Sequence, residues 1–260
     1  MRALDEILSE VRGRIAAACA RAGRDVSEVE IIAVTKTHAE DVVREAYEAG
    51  LAIVGENKVQ EAMWKKLSSP RGVDWHLIGH LQSNKVRHAL ETFDFIHSVD
   101  TVKLLEKISS TAAALGREAH ILLEVNVSGE KSKNGMTPEE LPAVVERALS
   151  LDRIWLEGFM TMAPFSENPE DSRPHFRRLR LLRDEIEERF SVKLPRLSMG
   201  MSADYEVAVE EGATWLRLGT VLFGERPKLK AVRATADDDA AFSGALDSYS
   251  GEGPTFKILD

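Results

Sequence analysis

The chain has 260 residues, which fits one large domain or two small ones. Its 43% hydrophobic and 30% charged residues are those of a globular chain, and a formal charge of −9 speaks against a general nucleic-acid binder, whose footprint is a basic excess. Cys19, the single cysteine, excludes an intrachain disulfide and a cysteine-rich metal site; the charged N-terminus and the lack of any run near ~20 apolar residues predict a soluble, cytoplasmic protein with no membrane contact.

Residues 3–22 predict an amphipathic helix. Leu4, Ile7, Leu8, Val11, Ile15 and Ala18 recur at helical spacing, and Gly23 stops the pattern. Short apolar runs then alternate with longer amphipathic stretches. The runs at 30–34, 52–55, 74–78, 95–99, 120–126, 155–160, 196–199 and 215–218 predict strands. Helical patterns lie between them at 40–49, 57–66, 83–90, 102–115, 138–149, 173–189 and 204–211. Asp100 or Thr101 caps one of these helices, and Thr137-Pro138-Glu139-Glu140 offers a cap, a first-turn proline and early carboxylates for another. Eight strands alternating with helices predict an α/β fold, a (β/α)8 TIM barrel preceded by an N-terminal helix, over residues 1–227. A flavodoxin-like open sheet is the alternative, and it needs only about five or six strands. From Lys228 the periodicity ends in a segment rich in Ala, Ser, Gly and Asp, so residues 228–260 are expected to form a flexible tail.

A barrel carries its chemistry just past the C-terminal ends of its strands. Strand one ends in Val34-Thr35-Lys36-Thr37. A lysine there, among apolar atoms and other cations, has its amine freed for Schiff-base chemistry, although an ordinary solvated lysine would read the same. Ser198-Met199-Gly200-Met201-Ser202 follows strand seven, and Arg217-Leu218-Gly219-Thr220 closes strand eight. Barrels often hold phosphate at these two loops, where small residues expose backbone N–H groups and hydroxyls add donors. A phosphate anchor beside a Schiff-base amine calls for a phosphorylated aldehyde, of which pyridoxal 5′-phosphate is the leading member. Asn57 follows strand two, either near the ligand or as a helix cap. His76 and His80 straddle the end of strand three, so a structural or ligand-orienting role fits them better than a metal pair.

The motifs AVTKT around Lys36, GENKVQE at 55–61, WHLIGHLQSNK at 75–85, VNVSGEKSKNG at 125–135, GFMTMAP at 158–164 and LSMGMSADYEVAVEEGATWLRLGTVLFG at 197–224 resemble those of the pyridoxal phosphate homeostasis protein family. These single-domain proteins are similar to the N-terminal barrel of alanine racemase, and the resemblance runs from about Ile7 to Pro227. Ala39 departs from the proline that family members often carry after the lysine, and the tail has no counterpart in the pattern. The resemblance implies that Lys36 forms the internal aldimine and that Ser198, Ser202, Gly219 and Thr220 cradle the phosphate, with Met201 in the same loop. It also places Asn57 and His76 near the cofactor and Arg217 against the pyridine nitrogen. It further implies a monomeric carrier or regulator of pyridoxal phosphate that serves PLP-dependent apoenzymes, because the second-base domain of alanine racemase has no counterpart here. A low-rate PLP-dependent amino acid racemase is the alternative, for which Tyr47 and Tyr205 are the tyrosines outside the tail and Tyr205 the one expected near the site, and a Schiff-base aldolase is a third reading.

Overall fold

The structure is a computed structural model and describes residues 3–130 and 133–224. The expected tail, 228–260, lies outside the described residues. Eight parallel strands close a barrel in chain order: β1 (Glu30–Val34), β2 (Ile53–Glu56), β3 (Asp74–Leu77), β4 (Phe95–Val99), β5 (Ala119–Glu124), β6 (Ile154–Met160), β7 (Arg196–Ser198) and β8 (Trp215–Leu218). β8 returns to β1 with Ile32 opposite Arg217, which puts the last strand's arginine beside the strand that ends at Lys36. An open sheet would have left β1 and β8 apart.

Helix α1 (Leu4–Ala22) precedes β1; α2 (Asp41–Glu48), α3 (Val59–Ser68), α4 (Val86–Thr92), α5 (Val102–Leu115), α6 (Leu141–Ser150), α7 (Arg173–Phe190) and α8 (Tyr205–Glu210) lie between successive strands, and α9 (Thr220–Phe223) follows β8. α1 buries Leu4, Leu8, Val11, Ile15, Ala18 and Cys19, packs on α8, and ends at Gly23 in the left-handed conformation. Thr101 caps α5, accepting from the Leu104 N–H at 3.2 Å. The Thr137–Glu140 pair does form, with Thr137 N donating to Glu140 Oε2 and Glu140 N to Thr137 Oγ1. It closes a turn, however, so α6 starts at Leu141, three residues later than the pattern predicts.

The large core lies between strands and helices. A second small cluster joins Ile32, Leu122, Met160 and Trp215. These four come from β1, β5, β6 and β8, so their side chains meet inside the barrel and fill it. The β5–β6 ladder steps from Ile121–Leu156 to Leu122–Gly158, a bulge at Glu157 that the alternation of residues did not reveal.

Candidate functional site

At the C-terminal end of the strands lies a cavity of about 400 Å³. Seven of the nine residues singled out from the sequence line it: Lys36 after β1, Asn57 after β2, Met201 and Ser202 after β7, Arg217 on β8, and Gly219 and Thr220 after it. His76 and Ser198 do not. Both are buried within the barrel, beneath the cavity wall. His80, read from the sequence as structural or ligand-orienting, also lines the cavity, as do Glu124, His38, Asn134 and Met162, which were not singled out. Position alone could have flagged Glu124, since it is the last residue of β5.

The backbone of two loops is shaped by glycine. Gly200 adopts φ +90°, and a Cβ there would come within 2.5 Å of the Ala208 methyl, so only glycine turns the chain between β7 and α8 this tightly. A Cβ on Gly79 would meet the Asn57 carbonyl oxygen at 2.5 Å, so the glycine lets Asn57 sit against the loop after β3. Lys58, not Asn57, holds the cap position of α3, which leaves Asn57 on the cavity wall instead of the helix end. Ser202 Oγ accepts from the Val221 N–H at 3.2 Å and so ties the loop after β7 to the one after β8.

Lys36 is set in place through its neighbours. Lys65 on α3 is buried, and its ammonium donates at 2.8 Å to the Thr35 carbonyl, to Glu56 Oε1 and to Glu61 Oε1, using all three of its donors. Glu61 Oε1 also accepts from the Thr37 N–H at 2.5 Å, and Thr35 Oγ1 donates to Glu56 Oε1 at 2.6 Å. Thr37 sits in the left-handed region, at φ +65°, without being glycine. One buried ammonium and two carboxylates therefore fix the peptides on both sides of Lys36. Burial raises the pKa of Glu56, opposed by the Lys65 charge, and its Oε2 has no hydrogen-bond partner among the described residues.

Beneath the cavity a row of polar groups crosses the barrel. Arg217 donates to Ser198 Oγ at 2.7 Å and to the Thr161 carbonyl at 2.8 Å. Ser198 Oγ lies 2.9 Å from His97 Nδ1, and His97 Nε2 lies 3.0 Å from His76 Nδ1. Arg217 can only donate, so the arrangement that uses every donor has Ser198 donating to His97 and His97 donating to His76. Both imidazoles then carry their proton on Nε2. Burial holds the His76 pKa down to about 3 and pushes that of His97 well below its usual value, so both rings stay neutral. Burial also lowers Arg217 to about 10, which leaves it charged at neutral pH. Ser198 thus spends its hydroxyl on holding Arg217. His80 pairs separately with Asp100, at 3.1 Å, so the two histidines flanking the end of β3 are engaged apart from one another.

Glu124 is 3% exposed, and burial, with Asp100 repelling, pushes its pKa up to about 7 against the pull of Arg217. An unfolded glutamate ionises near pH 4.5, so between there and pH 7 the folded chain binds the proton more tightly than the unfolded chain. Stability consequently falls as pH rises through that window, by up to ~3 kcal/mol. Urea unfolding of Glu124→Gln across pH 4–8 is expected to lack this component, making the variant more stable than wild type above pH 7 and alike below pH 4.5. Parallel pH profiles would show that the carboxyl is not destabilised by its surroundings.

The sequence model described as "Alanine racemase, N-terminal domain" matches residues 8–227. A pyridoxal phosphate homeostasis protein of Aquifex aeolicus is 47% identical over 85% of this chain and 97% of its own length; one of Pseudomonas aeruginosa is 41% identical over 87% and 97%. PipY of Synechococcus elongatus PCC7942, in a structure with PLP bound, is 39% identical at a TM-score of 0.73, covering 82% of this chain and all of that one. Alanine racemase of Clostridium difficile 630, at 16% identity and a TM-score of 0.70, shares the fold over 59% of its length. A barrel closed in strand order with a lysine past its first strand, matched over nearly their whole length by such relatives, belongs to the family of pyridoxal phosphate homeostasis proteins built on the alanine racemase N-terminal domain.

Proposed function

We propose that this chain is a carrier that holds pyridoxal 5′-phosphate covalently on Lys36 and maintains its intracellular supply without strong catalysis. The observation that carries this reading is that Lys36, Ser202, Thr220 and Arg217 all open on one cavity. That donor set fits the cofactor: an amine for its aldehyde, hydroxyls for its phosphate and a cation for the far side of the ring. When bound, the cofactor supplies an electrophilic carbon to which the lysine nitrogen bonds. Ser202 and Thr220 orient the phosphate at the β7–β8 side, while Lys65 and its carboxylates hold the lysine's backbone on the β1 side.

Arg217 supports carriage over catalysis. Pyridoxal enzymes that stabilise a full carbanion usually keep the ring nitrogen protonated through a carboxylate, whereas a guanidinium keeps its own protons and only donates. Tyr205, the tyrosine expected near the site, is buried under Arg14 and does not line the cavity, so it makes a poor second base for a racemase. Cytoplasmic location, a monomeric state and PLP-dependent apoenzymes as recipients belong to the same proposal. In keeping with it, no helix among the described residues is long and apolar enough to cross a membrane.

The test is to incubate the purified chain with pyridoxal 5′-phosphate, record its spectrum and weigh it before and after borohydride. Yellow protein with one fixed cofactor mass, inactive in amino acid racemisation assays, is expected. Colourless protein with no fixed mass, or vigorous racemisation, overturns the carrier reading. Ser202→Ala is expected to weaken cofactor affinity roughly 10–150-fold while the fixed mass still forms, because a hydrogen bond to a charged phosphate is worth about 1.5–3 kcal/mol. Equal affinities would place the phosphate elsewhere.

A further inference from the structure

The cavity has two chemically opposite sides. The β7–β8 side presents hydroxyls and small residues, and Lys36 and Arg217 are its cations along β1 and β8. Across the barrel, β5 presents Glu124, a carboxylate with almost no exposure except where it reaches this cavity. Its carboxyl has neither a hydrogen bond nor an ion pair among the described residues. Arg217 attracts it from β8, but its guanidinium is already committed to Ser198 and Thr161. Asp100, past β4, repels it and is itself paired with His80.

A buried carboxyl without a partner is costly, and it is relieved either by keeping its own proton or by a donor that arrives with a ligand. Pyridoxal phosphate, anchored by its anionic end at β7–β8, brings a phenolic oxygen, a phosphate and a ring nitrogen, which are mainly acceptors. The carboxylate would repel a second anion. A divalent cation is poorly served, because the described residues hold no cluster of three metal-ligating side chains and a guanidinium lies close by. A monovalent cation with N–H donors satisfies the geometry and the charge together.

We propose that the β5 side of this cavity is a binding site for a small primary amine, whose ammonium group is held by the Glu124 carboxylate. An amine held there shares a cavity with Lys36. The inference concerns Glu124 and the cavity alone and stands apart from the carrier reading.

The experiment therefore begins with cofactor-free protein. Propylamine binding is measured at pH 8 by ligand-detected NMR, with butan-1-ol as an uncharged probe of similar size. Saturable propylamine binding is expected, with affinity roughly 10–150-fold weaker in Glu124→Gln, the range for a hydrogen bond to a charged group. Butan-1-ol is expected to bind both proteins alike and weakly. Equal propylamine affinity in wild type and Glu124→Gln overturns the proposal. So does a Glu124→Gln variant that keeps propylamine but loses pyridoxal phosphate, since the carboxyl would then serve the cofactor. Repeating the titration on loaded protein separates the two ideas: absence of colour there counts against the carrier reading and leaves the amine result standing.

Discussion

Lys36→Ala should remove both the yellow colour and the mass that borohydride fixes, a complete loss and not a graded one. Among the described residues, Lys36 is the lysine that lines the cavity with Ser202 and Thr220. Lys65, on α3 beneath the turn that carries Lys36, is buried with all three of its donors engaged. Some reversible affinity is expected to survive, because Ser202, Thr220 and Arg217, to which the carrier proposal gives the phosphate and ring, remain on the cavity wall. The fold should survive as well, since Lys36 lies past the end of β1 and takes no part in the strand ladder. Peptide mapping of reduced wild-type protein is the direct check. An adduct on Lys58 or Lys85, or an alanine variant with full colour, would disprove the assignment of the site.

The second large effect is expected at a residue outside the cavity lining. Lys65→Met keeps the aliphatic stem but strips the cation from between Glu56 and Glu61, leaving Glu56 buried with one oxygen already unpartnered. Removing one member of a buried ion pair typically costs about 3–5 kcal/mol, because the remaining charge must be neutralised or dragged toward water. Urea unfolding at pH 7 should show a loss of that order. Adding Glu56→Gln should restore much of it, as the stranded charge is then gone. A loss below ~1 kcal/mol in Lys65→Met would mean that the two carboxylates relax without difficulty and do not clamp the Lys36 turn.

Why Lys65 escaped the sequence reading is instructive. In the stretch Trp64-Lys65-Lys66 it looks like one of two solvated helix lysines, and only the closure of β1 against β2 reveals that it reaches beneath a strand end. The barrel itself was legible, because β-branched runs and helical stripes alternate at regular spacing and eight is the number that closes. Strand ends were legible to within a residue or two for the same reason. What could not be read was depth. Lys36, Ser198 and Ser202 all sit at strand ends, yet Ser198 points below the cavity floor toward His97 and Arg217 while Ser202 faces the cavity. His76 likewise is one strand residue away from the end of β3 and turns inward to His97. Alternation along a strand decides in or out, but it does not say how high in the barrel a side chain stops.

The polar row from Arg217 to His76 has a consequence for how the barrel responds to substitution. Every member points its proton the same way, so the row behaves as a single object with one orientation. Placing a carboxylate at position 217 turns the first donor into an acceptor. Ser198 would then have to reverse its hydroxyl, both imidazoles would have to exchange tautomers inside a dry barrel, and the Thr161 carbonyl would face a negative charge at close range. A change at position 217 is therefore felt as far away as His76 on β3, so the interior of the barrel and its mouth respond as one coupled unit.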